Sequence, residues 1–194
     1  MTAETADPIE TMERIARDGA ARAARGLASM GLSDTRIQVP AVRQGLERDV
    51  YEATGGADAP VLGTSLVLEG EGSHVLLLFK QRSGLACVDL LCGRQRGATR
   101  ELDPLGASAF LEMGNMVCMA FVNAMADAAL LALRPRPPVL VQGSARAALE
   151  AAQTDPAGML LIDTVLADRR GAPSGLLVFA PHRSSVERVL ELAR

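Results

Sequence analysis

The chain has 194 residues, a formal net charge of −3, 48% apolar residues and 3% aromatics, none of them Trp. That length can bury a full core, and the apolar content excludes a disordered chain. Mild acidity and the scarcity of rings for base stacking argue against nucleic acid as a partner.

Met1-Thr2-Ala3-Glu4 supplies no basic segment ahead of an apolar run, so no signal peptide is expected. A first long helix is predicted over residues 8–30, with Arg14, Arg17, Arg22 and Arg25 as a basic stripe. That stripe reads either as a solvated face or as a surface for an anionic partner. An extended run follows at Pro40-Ala41-Val42-Arg43-Gln44-Gly45. Residues 64–69 and 75–79 read as two strands across the turn Gly70-Glu71-Gly72. Ser83 is a candidate N-cap for a helix that buries Leu85, Val88 and Leu91. Residues 55–59 and 94–100 read as loops, the latter solvated, with Arg94, Arg96 and Arg100 around Gly97.

A second long helix is predicted over residues 103–133. Its stretch 116–133 approaches the length of a membrane span. Asn123 and Asp127 interrupt it, which favours a buried amphipathic helix and no membrane partner. After it come Pro138-Val139-Leu140-Val141-Gln142-Gly143, a short extra helix at 145–153, and strands at 159–166 and 176–179 across the turn 169–173. Ser184 then precedes Val186, Val189 and Leu192, again at helical spacing.

These elements repeat. Pro, Gln and Gly of the two extended runs match at one spacing, 138 − 40 = 98, which also pairs Leu27 with Met125; along the hairpins the spacing grows to about 101. The expected architecture is α+β: a pseudo-two-fold duplicated fold with a mainly antiparallel sheet of about six strands and two long helices on one face. The whole chain, 1–194, reads as a single domain of two related halves, about 8–92 and 103–194.

Within the second long helix, Ser108, Glu112 and Asn115 stand at i, i+4 and i+7 and share one stripe. Phe110, Met113, Val117 and Phe121 define a different stripe, expected to face the core. Gly114, where a helix interior prefers Ala by roughly 1 kcal/mol, is expected to let another molecule's backbone approach. Met113, Met116, Met119 and Met125 read as packing residues.

The run Glu112-Met113-Gly114-Asn115-Met116, with Ser108 before it and Pro138 after twenty-two intervening residues, resembles the signature of the CheC/CheX/FliY family of chemotaxis phosphatases. The duplicated helix-and-strand plan is similar to the family's as well. The resemblance implies hydrolysis of the aspartyl-phosphate of a CheY-like response regulator in the cytoplasm. Asn115 would orient the attacking water and Glu112 would pair with a Lys of the regulator, with Ser108, Gly114 and Pro138 as supporting positions. It implies no cofactor of the chain's own, since Mg²⁺ would reside in the regulator. CheD is a further possible partner, and duplication within one chain favours a monomer over a homodimer. An adaptor that binds CheY-like or CheD-like partners without turnover, and a structural component like the flagellar switch protein FliM, are the alternatives.

At the same spacing of 98, Ser108, Glu112 and Asn115 project onto Glu10, Arg14 and Arg17. Arginine cannot accept a hydrogen bond and would repel a Lys, so this first site is expected to be degenerate. Cys87, Cys92 and Cys118 are odd in number and form no Cys-x-x-Cys pair, which argues against disulfides or zinc and for a reducing compartment. His74 and His182, the only histidines, lie in the two related hairpin regions, so a metal site or catalytic His is not expected.

Overall fold

The computed structural model describes residues 8–29, 32–69, 72–129, 133–153, 158–167 and 173–181. In chain order they form α1 (Pro8–Ser29), β1 (Arg36–Gln38), β2 (Val42–Gly45), α2 (Glu47–Thr54), β3 (Pro60–Val67), β4 (His74–Lys80) and α3 (Gln81–Leu91). Then follow α4 (Pro104–Ala129), β5 (Val139–Ser144), α5 (Ala145–Ala151), β6 (Met159–Ala167) and β7 (Ser174–Ala180).

The strands make one sheet in the order β1-β6-β7-β4-β3-β5, with β2 also on β6. Every pairing between them is antiparallel. Because β1 and β2 share one neighbour, seven strands fill six ranks. The rank order reads the same from either edge, with β4 and β7 meeting at the centre. Registers carry the repeat: Val42 pairs with Ile162 and Leu140 with Thr64. The spacing of 98 therefore relates 42 to 140 and also 64 to 162.

Alternation across the pleat explains the near-continuous apolar run of β4. Val75, Leu77 and Phe79 point to one face, where α1, α3 and α4 cover them. Leu76 and Leu78 point to the other, where α2 and α5 supply Val50, Ala148 and Leu149. The sheet is thus covered on both sides. The two long helices do share one face, as expected from the sequence.

Their buried positions obey the same spacing. Met12, Ile15, Ala23 and Leu27 of α1 project onto Phe110, Met113, Phe121 and Met125 of α4, and all eight are buried. The helices run in opposite directions: a Cβ on Gly19 would lie 3.0 Å from Phe121 Cα, whereas one on Gly26 would meet the tip of Met116. Arg22 of α1 bridges Asp18 at 2.7 Å and Asp127 of α4 at 2.6 Å.

Several expectations need correction. The helix at 145–151 is not an addition to one half, because α2 is its counterpart: 145 − 47 = 98. Its sequence, mostly polar with Val50 as the one fully buried apolar residue, hid it. Strand β1 had no visible signal in three residues. Ser83 does not cap α3; β4 runs directly into the helix, leaving Lys80 at the cap position and Ser83 inside the first turn. The expected turns at 70–71 and 169–172, His182, and the helix after Ser184 lie outside the described residues.

Candidate functional site

α4 carries the motif, and its start is fixed by a polar network in the connection before it. Pro104 opens the helix with its φ already preset. Asp103 Oδ1 accepts the Gly106 N–H at 2.6 Å, and Oδ2 accepts from Arg94 Nη2 at 2.7 Å. Arg94 Nη1 donates to Thr99 Oγ1 at 2.9 Å. Asp89 of α3, only 2% exposed, accepts from the N–H groups of Gly97 at 2.6 Å and Thr99 at 2.9 Å.

The electrostatics follow from these bonds. Burial by itself would raise the Asp89 carboxyl, but hydrogen bonds from Thr99, Gly97 and Ala98 outweigh it and hold the group below the usual carboxylate range. The Gly106 N–H, aided by Arg94, does the same for Asp103. A carboxylate at a helix N-terminus also opposes the positive end of the helix dipole. Arg94, read from sequence as a solvated loop residue, is a structural clamp.

Below this cap the outer edge of α4 runs Leu105, Ser108, Glu112, Asn115, Met119 and Asn123, every three or four residues. Ser108 and Glu112 are exposed and Asn115 is half-buried. Among the described residues neither the Glu112 nor the Asn115 side chain has an ion-pair or hydrogen-bond partner. A carboxylate and an amide one turn apart, on a convex ridge, can enter a partner's concave site together. Leu105, 66% exposed at the head of the ridge, was not singled out from sequence; its exposure is the signal.

The opposite edge of α4 is anchored. Phe110 and Met113 are fully buried, and the Phe110 ring meets Phe79 edge-to-face at 5.8 Å. Gly114 corrects an expectation: it is buried and faces inward, so it offers nothing to a partner's backbone. A Cβ there would collide with Thr64 Oγ1 and lie 2.6 Å from Thr64 Cβ. The missing side chain lets α4 sit down on β3. Thr64 is itself fully buried, with its hydroxyl unpartnered among the described residues. Gly114 therefore sets the height at which its neighbour Asn115 stands above the sheet.

Pro138 lies half-buried just before β5. The intervening chain pairs along the end of β3, with Arg136 N–H on Val67 O and Glu69 N–H on Arg134 O, each at 2.8 Å. The fixed distance from Asn115 to Pro138 is thus the rest of α4 plus the return to the sheet edge.

On α1 the projected positions Glu10, Arg14 and Arg17 occupy the equivalent exposed edge. Arg17 pairs with Glu13 at 2.8 Å and Arg22 is held by Asp18 and Asp127, which breaks up the basic stripe. The ridge geometry is duplicated; the Glu/Asn pair stands on α4 alone. Among the described residues no cluster of three His, Cys, Asp or Glu side chains could hold a metal ion.

The chain superimposes on FliY from Thermotoga maritima over its full length and 97% of that chain, with a TM-score of 0.75 at 17% identity. The fold is that of FliY. The FliM middle domain from H. pylori shares it, with a TM-score of 0.68 at 12% identity over 94% of this chain and 96% of that one. CheX from Vibrio vulnificus matches more loosely, with a TM-score of 0.51 at 12% identity over 86% of this chain and 98% of the other. No protein-family model matches the sequence. The expectation of a CheC/CheX/FliY-type fold is met.

Proposed function

We propose that the chain acts in chemotaxis signalling as a phosphatase of a CheY-type response regulator, using the α4 ridge. The observation that carries this reading is the pairing of Glu112 and Asn115 on one exposed edge, neither engaged by the described residues, in a FliY-type fold. An acyl phosphate is already activated, so the protein has little covalent work to do. Water attacks phosphorus, the P–O bond to the regulator's aspartyl oxygen breaks, and the aspartate leaves as a carboxylate with phosphate as the other product. The Asn115 amide both donates and accepts, so it can hold that water in line without a change of protonation. Glu112 is suited to the regulator's active-site Lys and fixes the docking register. The regulator brings its own Mg²⁺, and CheD-like proteins are a further class of partner.

A second reading rests on the FliM likeness. A chain with that fold could serve as a scaffold for a flagellar-switch or regulator partner without turnover, and Arg14 and Arg17 at the projected positions of α1 are consistent with a ridge that does no chemistry. Decay of a phosphorylated CheY-type regulator separates the two. The phosphatase reading expects decay to accelerate on adding the chain and to revert with Asn115→Ala. Undiminished binding with unaltered decay would establish the scaffold instead.

A further inference from the structure

Six cations of the described chain, Arg17, Arg22, Arg43, Arg94, Arg136 and Arg146, each meet a carboxylate within 3.4 Å. Lys80, the only lysine, together with Arg82 and Arg100, has no carboxylate partner among the described residues. These three converge, with Arg96, on one groove. It lies between the start of α3 and the loop before α4, with Pro173 and Ser174 also in its lining, and has a volume of about 800 Å³. Arg14 and Arg25 also have no carboxylate partner among the described residues, but they stand on the exposed edge of α1.

Four like charges from the end of β4, α3 and a loop, around one concavity, repel one another in a protein whose net charge is −3. Concave low-dielectric walls concentrate such a field and draw in counter-ions. Asp89, the one acid in the lining, offsets one of these charges and leaves the groove positive through Lys80, Arg82 and Arg100. Leu85 and Ala86 add an apolar patch, and no aromatic ring is present for a base to stack on. The volume suits a small molecule, and arginine forks match phosphate oxygens.

We propose that this groove is a binding site for a small molecule carrying two or more phosphate groups, held by Lys80, Arg82, Arg96 and Arg100 through charge and not through a base. The site is separate from the α4 ridge and independent of the phosphatase reading. Calorimetric titration with inorganic pyrophosphate at low ionic strength tests it. One saturable site per chain is expected, at least tenfold weaker in Arg82→Ala/Arg100→Ala and unchanged in Arg14→Ala/Arg25→Ala, which removes equal charge from α1. Orthophosphate should bind at least tenfold more weakly than pyrophosphate, and ATP no more tightly than tripolyphosphate. Absence of a saturable site, or equal weakening in both double variants, would overturn the proposal. Equal affinity for orthophosphate would refute the requirement for two phosphates, and a preference for ATP would refute recognition by charge alone.

Discussion

Replacing Gly114 by Ala isolates the contact that seats α4 on the sheet. The added methyl would collide with Thr64 Oγ1 and stand 2.6 Å from Thr64 Cβ. Thr64 cannot retreat, because β3 is bonded to β4 on one side and β5 on the other. Overpacking of this kind costs about 1–3 kcal/mol, and contact with two atoms of a held residue puts the cost near the top. Exchange of Gly for Ala in a helix returns roughly 1 kcal/mol, leaving a net loss of about 2 kcal/mol. Thr64→Ala should be close to neutral alone, since the hydroxyl it removes is buried without a partner. In the double variant the new methyl on α4 enters the vacated space, so the two changes should couple by about 1–2 kcal/mol. Urea denaturation midpoints of the four proteins give each term. A Gly114→Ala protein as stable as the wild type, or strictly additive effects, would refute the seating argument.

Other predictions follow from the same packing and charges. On α1, Gly19→Ala should destabilise, because its methyl meets the α4 backbone at Phe121, whereas Gly26→Ala should be tolerated, because it meets only the flexible end of Met116; thermal midpoints of the two variants compare them directly. His74 is partly buried, its Nδ1 has no hydrogen-bond partner among the described residues, and burial lowers its pKa, so the unfolded chain takes up the proton first. Its share of stability is full above about pH 6.5 and is lost as pH falls below that. Asp89 and Asp103 have lowered pKa values, so their contribution is complete above about pH 4 and is lost in more acidic solution. Denaturation across pH 2–8 should thus show two descending steps, and His74→Gln should remove the upper one. Burial pushes the Cys118 thiol up to about 12 and raises Cys87 further, while Cys92 is only half-buried. Alkylation of the native protein near pH 8 should therefore label Cys92 first, with the other two reacting only on unfolding.

Much of this fold is written in the sequence as spacing. The spacing of 98 ties Pro40 to Pro138 and puts Glu10, Arg14 and Arg17 on the exposed edge of α1, because duplicated elements keep their lengths when they share one sheet. The buried stripe of α4 was legible for the same reason that helices are: Phe110, Met113, Val117 and Phe121 recur at helical period, and all are buried. What stayed hidden depends on neighbours distant in the chain. Gly114 looks like an opening for a partner until Thr64 of β3 is placed beneath it. Arg94 looks like a solvated loop residue until Asp103 and Thr99 are brought to either side of it. Helix α2 packs through few apolar residues, so periodicity barely registers it. The grouping of Lys80 and Arg82 with Arg100 has no linear signal at all, since it arises where β4, α3 and the following loop come together.

Under the proposed function one ridge, on α4, is active and its twin on α1 is not. The measurement that tests this most directly is phosphate release from a phosphorylated CheY-type regulator, with Mg²⁺, at a fixed concentration of wild type, Asn115→Ala and Arg14→Ala/Arg17→Ala. The account predicts accelerated release with the wild type and with the α1 variant, and loss of at least about a hundredfold, or roughly 2.7 kcal/mol of barrier lowering, with Asn115→Ala. Release that is unaffected by Asn115→Ala, or abolished by the α1 changes, would contradict it.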